Sequence, residues 1–425
     1  MQKIFSLLLI VIVLTVCGCS VSPQPATTPA PAATVESAST APSEAIKFPR
    51  IDRHPAPANW QRGDLTAVPT YDPSSDQMWQ MDLRSYNLSG LDLRGSAQDL
   101  AFADFDSQTK WPPADHMPPD FDWQKIMEVG KNPGLGVRQL HAQGITGRGV
   151  GLAIIDQPLL FEHQEYAERL RLYEEINVTP DTESQMHGPA VASIAVGKTV
   201  GVAPQADLYY IGSWTGDWGA GTNDFTWNFK YYAQAIRRIL EINRQLPAGS
   251  KIRAIAMQVG WSPDQAGYDD INQAVKEARA AGVFVASSSI EQIYGFKFNG
   301  LGRPPLGDPD QFASYEPGMF WAGRISSDSQ LTGRLLVPMD SRTTASPGGA
   351  GEYAFYRQGG WSWSIPYIAG VYTLAAQVDP AITPDRFWEL ALQTGKTIQI
   401  TRDGKAVSMG PILDPLALVA ALQVK

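Results

Sequence analysis

The chain has 425 residues, of which 44% are hydrophobic, so it is long enough for one large domain with additions or for two ordinary domains. Its formal net charge is -9, with acidic and basic residues interspersed, which argues against a nucleic-acid partner. The two cysteines, Cys17 and Cys19, precede the body of the chain. The body therefore has no disulfide framework, no cysteine metal site and no cysteine nucleophile.

The N-terminus has the composition of an export signal. Lys3 precedes an apolar run over residues 4–16, which is too short for a comfortable transmembrane span. Cys19 follows the small residue Gly18, and this segment resembles the lipobox of bacterial lipoproteins, in which a cysteine is lipidated and becomes the mature N-terminus. The resemblance predicts a signal peptide over residues 1–18 and a lipid anchor on Cys19, which would hold the protein at an extracytoplasmic membrane face. An ordinary signal peptide with incidental cysteines is the alternative.

The next two regions differ in composition. Residues 19–45 carry the anchor and then a linker of Ser, Thr, Ala and Pro, a composition that cannot build a core. In residues 46–133, the stretch 81–112 contains apolar residues at five-residue intervals, among them Leu83, Leu88 and Leu93. This stretch resembles pentapeptide-repeat proteins, whose five-residue units form the sides of a square β-helix. Because so few units cannot bury their own faces, we expect the stretch to pack on the rest of the chain as a brace. A pro-region or a substrate-facing surface is the alternative.

Strand and helix patterns alternate from residue 134 to residue 425. Short apolar runs predict buried parallel strands at 150–155, 252–259 and 283–286. Helical patterns occupy 190–196, 271–281, 367–378 and 384–394. This alternation predicts an α/β domain in which helices flank a central, mainly parallel sheet on both faces, with a small β-rich segment before it.

Two polar residues stand at the ends of these predicted elements. Asp156 ends the first strand, at the edge where α/β sheets place their sites, although a solvated residue at a strand end is the simpler interpretation. His187 and Gly188 precede an apolar helix with Pro189 in its first turn, where a missing N–H costs nothing. A single histidine of this kind is more often a surface or core residue than a catalyst.

A third segment contains two candidate nucleophiles. The glycine pair Gly359-Gly360 allows a tight turn, after which Ser362 opens an apolar helix. A serine at this point can simply cap the helix. As a nucleophile, it would have the helix N-terminus and its backbone N–H groups facing the oxyanion. Ser364 is the competing candidate in the same segment.

Together the three segments resemble the subtilisin-like serine peptidases. The chain order Asp, His, Ser is an order that this family uses. In its third motif a proline stands four residues after the nucleophile, and Pro366 therefore selects Ser362 over Ser364. The resemblance runs from about residue 132 to near the C-terminus, and it implies the family's three-layer fold for residues 134–425.

The resemblance also implies a reaction. Ser362 would attack the scissile carbonyl, His187 would take and return the proton, and Asp156 would orient the imidazole. The implied function is an extracytoplasmic serine endopeptidase that hydrolyses polypeptides through an acyl-enzyme. No cofactor is expected, no segment offers the ligand spacing of a metal site, and no Asp-rich loop indicates the structural Ca²⁺ that many relatives hold.

The chain departs from the family's motifs at several places. Gln157 follows the acidic residue, Pro189 replaces the usual Thr, and Trp361 precedes the serine. The family's oxyanion-hole Asn is missing from residues 282–292, where alignment puts Glu291 near that position. Such a carboxyl group donates only when it is protonated in a dry pocket. The other candidates for the oxyanion donor are Ser288, Ser289 and Asn299.

The segment after the second predicted strand falls where the family pairs with extended substrate. The candidate substrate-binding residues are Val259, Gly260, Trp261 and Ser287, with Trp261 as a residue that could narrow the pocket. Pairing of this kind is β-augmentation, which gives affinity through main-chain hydrogen bonds. The altered motifs also fit a second function: a pseudo-peptidase that binds extended peptides at the surface without cleaving them. The retention of all three triad residues favours the enzyme.

Overall fold

The computed structural model describes residues 46–75, 77–219, 224–322, 325 and 327–424. These described residues belong to one compact unit. Cys19 and the predicted signal and linker lie outside them.

The strands of the described chain, in order, are β1 (Arg50–Ile51), β2 (Gly63–Asp64), β3 (Tyr86–Asn87), β4 (Phe105–Asp106), β5 (Gly151–Asp156), β6 (Leu170–Ile176), β7 (Asp207–Ser213), β8 (Gly216–Trp218), β9 (Phe225–Trp227), β10 (Ile252–Met257), β11 (Phe284–Ser287), β12 (Phe298–Gly302), β13 (Glu316–Pro317), β14 (Leu335–Pro338), β15 (Arg342–Ala345), β16 (Tyr353–Tyr356), β17 (Lys396–Arg402) and β18 (Lys405–Ile412).

The helices are α1 (Ala97–Leu100), α2 (Trp123–Gly130), α3 (Val137–Ala142), α4 (His187–Val196), α5 (Lys230–Gln245), α6 (Tyr268–Ala280), α7 (Ile290–Tyr294), α8 (Met319–Ala322), α9 (Trp361–Val378), α10 (Pro384–Thr394) and α11 (Pro415–Gln423).

A six-stranded parallel sheet forms the centre of the molecule. Its strand order is β1-β6-β7-β5-β10-β11, and each neighbouring pair is parallel. The central strand β5 is buried along its whole length, as its almost wholly apolar sequence predicts. The structure thereby confirms the predicted α/β architecture with a mainly parallel central sheet.

Alternating side chains divide the core into two layers, one on each face of this sheet. Ile154 faces the layer that contains the residues of α4 and α9, whereas its neighbour Ile155 faces the layer built from α5 and α6. Successive side chains of a strand point to opposite faces, so an all-apolar strand can serve both layers. Helices thus cover the sheet on both faces, as predicted.

Helix α9 crosses its face of the sheet from one edge to the other. Near its start, the Ser364 hydroxyl donates to the carbonyl of Pro338 at the carboxyl end of β14, at 3.3 Å. Near its end, the Gln377 side-chain oxygen accepts the N–H groups of Thr146 and Gly147, which precede β5, at 2.8 and 2.6 Å. The start of α9 therefore lies at the carboxyl end of β14, and its end lies at the amino end of β5.

Most element bounds agree closely with the sequence patterns, and α10 has the predicted range 384–394. Helix α9 begins at Trp361, in agreement with the prediction that Ser362 opens an apolar helix, and it continues through the predicted helix 367–378. Pro366 lies inside this helix and cannot donate to the carbonyl of Ser362 four residues earlier. The tryptophans and serines before it are nevertheless helical, because Trp363 packs into the core and Gly360 supplies an extended N-cap.

A second, five-stranded sheet lies after the central one in the chain. Its order is β13-β12-β14-β18-β17, with parallel pairing of β12, β14 and β18 and antiparallel pairing at both edges. Helix α9 packs against β14 as well as against β10 and β11. One long apolar helix therefore joins the two sheets.

The region 46–133 is built into the same body as the rest of the described chain. Strand β1 extends the central sheet beside β6, and β4 adds a third strand to the β15–β16 hairpin. Between these strands, parallel pairings join β2 with β3, Asp82 with Asp104 and Asn87 with Lys110. The apolar residues of the five-residue pattern are buried in one cluster with Tyr353 and Phe355 of β16. The sequence boundary at residue 133 therefore does not separate two compact bodies.

A buried carboxyl group, Asp104, lies where this region meets the hairpin. One of its oxygens accepts the backbone N–H of Arg357 at 2.6 Å, and the other has no partner within the described residues. Burial raises the pKa of Asp104 to about 8, against the opposing effect of the Arg84 guanidinium, while the Asp82 carboxylate raises the pKa further. A neutral group would therefore fit this position better than an ionised one.

We expect Asp104→Asn to stabilise the protein at neutral and alkaline pH. The pKa of Asp104 is raised from 3.8 to about 8 in the folded chain, so the folded state holds a proton that the unfolded chain has released. This stabilisation is complete below about pH 4 and is lost as the pH rises to about 8, with a slope of at most about 1.4 kcal/mol per pH unit. The asparagine keeps an acceptor for Arg357 and cannot ionise.

Thermal unfolding of both proteins between about pH 4 and pH 9 measures this difference. The Tm of the wild type should fall relative to that of Asp104→Asn across this range. Two Tm curves that stay parallel would show that Asp104 is not protonated in the folded state.

Candidate active site

Three polar side chains occupy the carboxyl edge of the central sheet or the helix ends beside it. Asp156 is the last residue of β5, His187 is the first residue of α4, and Ser362 is the second residue of α9. Both helices belong to the same core layer. The topology thus gathers residues that are far apart in the chain at one edge, where parallel sheets place their binding sites.

A hydrogen bond of 2.7 Å joins His187 Nδ1 to Asp156 Oδ1. The side chain of Asp156 is 4% exposed and that of His187 is 20% exposed. The same carboxylate oxygen also accepts the backbone N–H of Gln157 at 2.7 Å. With Asp156 ionised, this contact assigns the proton to Nδ1 and leaves Nε2 free to accept a proton from another group.

Gly188 permits the close approach of α4 to β5 that this bond requires. A Cβ atom at position 188 would lie 2.5 Å from the carbonyl oxygen of Gln157 and 2.7 Å from the hydroxyl of Tyr210. That hydroxyl in turn donates to the Gln157 carbonyl at 2.5 Å. Any larger residue would push His187 away from Asp156, which gives the His-Gly sequence a physical reason.

The residue that follows Ser362 in the chain packs near the histidine. The ring of the next residue, Trp363, lies 5.5 Å from the His187 ring between centroids. His187 bonds to Asp156, and the described structure has no bond from His187 to Ser362. Catalytic hydrogen bonds are often long in ligand-free enzymes and tighten when substrate binds.

Ser364 is in a different environment from Ser362. It is fully buried, and its hydroxyl donates to the Pro338 carbonyl. Ser362 is only partly buried. Of the two serines, Ser362 is therefore the accessible one.

Buried carboxyl groups and a tryptophan hold the turn that leads to Ser362. Asp340 accepts the Gly359 N–H at 2.8 Å and the Met319 N–H at 2.7 Å, and burial raises the pKa of Asp340 to about 7. Asp104 accepts the backbone N–H of Arg357 at 2.6 Å, and the Trp79 indole donates to the Gln358 carbonyl at 3.2 Å. Of the three hydrogen bonds to residues 357–359, two come from the region before residue 133, which therefore braces the serine-bearing turn.

The sequence patterns did not indicate Asp340. The signal available was an acidic residue soon after the apolar strand β14, in the same setting as Asp156 after β5. Its partners, Met319 and Gly359, come from two distant segments, and only the folded chain brings them together.

Glu291 does not occupy the dry pocket expected of a carboxyl donor. It lies in α7 with its side chain 59% exposed, and its carboxyl group is 3.6 Å from Lys297 Nζ. Helix α7 turns at this point so that Ile290 is buried and Glu291 faces solvent. The predicted oxyanion role for Glu291 therefore lacks the environment it needs.

The other oxyanion candidates make hydrogen bonds within the described structure. Asn299 is buried in β12, where its amide donates to the Gln330 carbonyl at 3.4 Å and its oxygen accepts from Arg334 at 3.3 Å. Ser289 Oγ accepts the N–H of Trp261 at 3.0 Å, so it holds the segment after β10. Ser288 donates its backbone N–H to the Val259 carbonyl at 3.2 Å.

The predicted substrate-binding residues have different environments. Val259 and Gly260 are partly buried at the carboxyl edge, and the Val259 carbonyl accepts the Ser288 N–H at 3.2 Å. Ser287 is fully buried and accepts the Ser289 N–H at 3.2 Å. The indole of Trp261 is buried in the opposite core layer and donates to Asn272 at 3.2 Å. Trp261 therefore does not narrow a pocket beside His187.

Among the described residues, no cluster of three or more His, Cys, Asp or Glu side chains could hold a metal ion. In the same part of the chain, no helix has the length and apolar character needed to cross a bilayer.

Comparison with known proteins gives a distant and local similarity. No family model matches the chain. The subtilisin-like protease PopC of Myxococcus xanthus (strain DK1622) is 36% identical over 85 residues, which cover 17% of this chain and 18% of PopC. A solved structure, the prenylagaramide maturation protease PagA, has a TM-score of 0.45 at 16% identity, over 68% of this chain and 98% of that one. The chain thus has a short stretch of similarity to a protease of the subtilisin type.

We expect Glu291→Gln to leave the reactivity of Ser362 toward a fluorophosphonate within about threefold of the wild type. An exposed carboxyl group beside a lysine contributes little to a buried site. The measurement is the second-order rate constant of labelling. A loss of about 100-fold would instead identify Glu291 as the oxyanion donor, since that is the size of effect expected for such a group.

Proposed function

We propose that the protein is a serine endopeptidase that hydrolyses polypeptides through an acyl-enzyme, with Asp156, His187 and Ser362 as its catalytic triad. The observation that carries this proposal is the 2.7 Å bond between Asp156 and His187 at the carboxyl edge of the sheet. The partly buried Ser362 on the adjoining helix end supports it. The local similarity to a subtilisin-like protease agrees with it.

The proposed reaction proceeds in two halves. Ser362 Oγ attacks the scissile carbonyl carbon while His187 Nε2 takes the hydroxyl proton, and Asp156 stabilises the resulting imidazolium. His187 then gives that proton to the leaving amine, which breaks the peptide bond and leaves an ester on Ser362. Water attacks the ester with His187 again as the base, and the acid product leaves.

Substrate would bind as an extended chain beside the segment after β10. Val259 and Gly260 have backbone groups at the carboxyl edge, next to Ser288 and Ser289. Main-chain pairing there would hold a polypeptide without strong side-chain selection. The Trp261 indole, which is buried in the layer of α5 and α6, would hold this segment in place.

A second candidate function is peptide binding without cleavage. The exposed position of Glu291 favours it, because the residue aligned with the family's oxyanion donor cannot supply that donor from solvent. A binding module, however, has no need for a histidine whose Nδ1 is fixed by a buried carboxylate.

A fluorophosphonate probe distinguishes the two functions. The phosphorus is attacked by an activated serine oxygen and loses fluoride, so we expect covalent labelling of the wild type. Labelling should disappear in Ser362→Ala and persist in Ser364→Ala, provided that thermal unfolding shows both variants to be folded. A folded wild type that remains unlabelled would support the binding module, and labelling that depends on Ser364 would contradict the assignment of Ser362.

We also propose that Cys19 anchors the protein by a lipid to an extracytoplasmic membrane face. The lipobox-like sequence supports this proposal. Expression in bacteria with radiolabelled palmitate should give a labelled, membrane-associated protein, and Cys19→Ser should lose the label while Cys17→Ser keeps it. Equal labelling of the wild type and Cys19→Ser would contradict the anchor site.

A further inference from the structure

The side-chain amide of Gln258 is buried and makes no hydrogen bond to the described residues. It follows the last residue of β10 and is 8% exposed. Neither its Oε1 nor its Nε2 atom has a hydrogen-bond partner within the part of the chain that the structure describes. Buried polar groups are nearly always paired in native proteins, so an amide with both ends unpaired calls for a ligand that would pair with it.

The register of the sheet brings Gln258 level with the candidate triad. Met257 pairs with Ile155 of β5 on one side and with Ser287 of β11 on the other. The next residue along β5 is Asp156, so Gln258 and Asp156 are neighbours at the carboxyl edge.

The alternation of side chains determines which face carries the Gln258 amide. Ala254 and Ala256 belong to the core layer of α4 and α9, whereas Met257 and Val259 belong to the layer of α5 and α6. Because alternate residues share a face, Gln258 lies on the face of α4 and α9. Those are the helices whose N-termini carry His187 and Ser362.

We propose that the Gln258 side-chain amide donates a hydrogen bond to the oxyanion that forms when Ser362 attacks a carbonyl carbon. This inference rests on the proposed peptidase function. In that step the Oγ–C bond forms, the carbonyl π pair moves to the oxygen, and the hydroxyl proton passes to His187 Nε2. The Nε2–H group of Gln258 and the backbone N–H groups at the start of α9 stabilise the new negative charge.

The environments of the competing side chains favour Gln258. Glu291 faces solvent, and both ends of the Asn299 amide are engaged. Ser289 is buried, and its Oγ accepts the Trp261 N–H, so this short side chain is held beside the segment after β10. Gln258 alone among these candidates is a buried amide with a free donor at the edge that carries Asp156.

The indole N–H of Trp363 is a rival donor. It is buried, it also has no partner among the described residues, and its ring lies 5.5 Å from that of His187. The variant Trp363→Phe, which removes this N–H, is therefore labelled alongside the Gln258 variants.

The test compares the rate at which a fluorophosphonate labels Ser362 in the wild type and in Gln258→Met, which preserves length and removes both hydrogen-bonding ends. The phosphonyl oxygen takes the place of the oxyanion, so no knowledge of the natural substrate is needed. We expect the second-order rate constant to fall by about 10²–10³-fold, the loss typical of one oxyanion donor. We expect the Tm to stay equal or to rise, because the substitution removes an unpaired buried amide.

The control variant is Gln273→Met, the same substitution at an exposed position of α6 on the opposite face, which should label at the wild-type rate. If Gln258→Met does not fold, Gln258→Ala gives a smaller side chain without a donor at the same site, with the same expected loss. A folded Gln258 variant that labels at the wild-type rate would overturn the inference and leave the peptidase proposal intact. The inference would also be overturned if Trp363→Phe, but no folded Gln258 variant, lowered the rate of labelling. A wild type that is never labelled would contradict both.

Discussion

The parallel alignment of β5 with β10 is the constraint on which the candidate site depends. It brings Asp156 and Gln258 to the same edge of the sheet. Helices α4 and α9 pack on one face of this sheet, and their first turns carry His187 and Ser362. The 2.7 Å bond between Asp156 and His187 then requires α4 to lie close to β5, and Gly188 provides the space for that approach. The geometry of the site therefore depends on how these two helices pack against the sheet.

The region before residue 133 is connected to this site through the turn that precedes Ser362. Asp104 and Trp79 hold the backbone at Arg357 and Gln358, and Asp340 holds Gly359 from the other side. A turn fixed at three successive residues loses little further freedom when the serine reacts. The N-terminal region thus contributes to the position of Ser362 without containing any of the proposed catalytic residues.

Much of the fold could be predicted from local patterns. An apolar run such as that of β5 identifies a buried parallel strand, and the residue that ends it lies at the functional edge. The environment of Glu291 could not be predicted in this way, because it depends on α7 starting at Ile290 and turning the next side chain toward solvent. The environment of the Trp261 side chain likewise could not be predicted, because it depends on the tertiary packing that buries the indole in the layer of α5 and α6.

The interactions at the candidate site that the sequence did not reveal are between separate segments of the chain. Asp340 meets Met319 and Gly359, and Asp104 meets Arg357, in pairs that no periodicity connects. The unpaired amide of Gln258 is visible only when its neighbours on β5 and β11 are known. Hydrophobic patterns report which face of an element is buried, whereas the partners of a buried polar group are set by the tertiary fold.

The most direct measurement of the central claim is a crystal structure of the protein after reaction with a fluorophosphonate. We predict phosphorus bonded to Ser362 Oγ, the Asp156–His187 bond intact, and His187 Nε2 within hydrogen-bonding distance of an oxygen of the adduct. Phosphorus on any other side chain, or a His187 ring turned away from Asp156 in the adduct, would contradict the proposed triad.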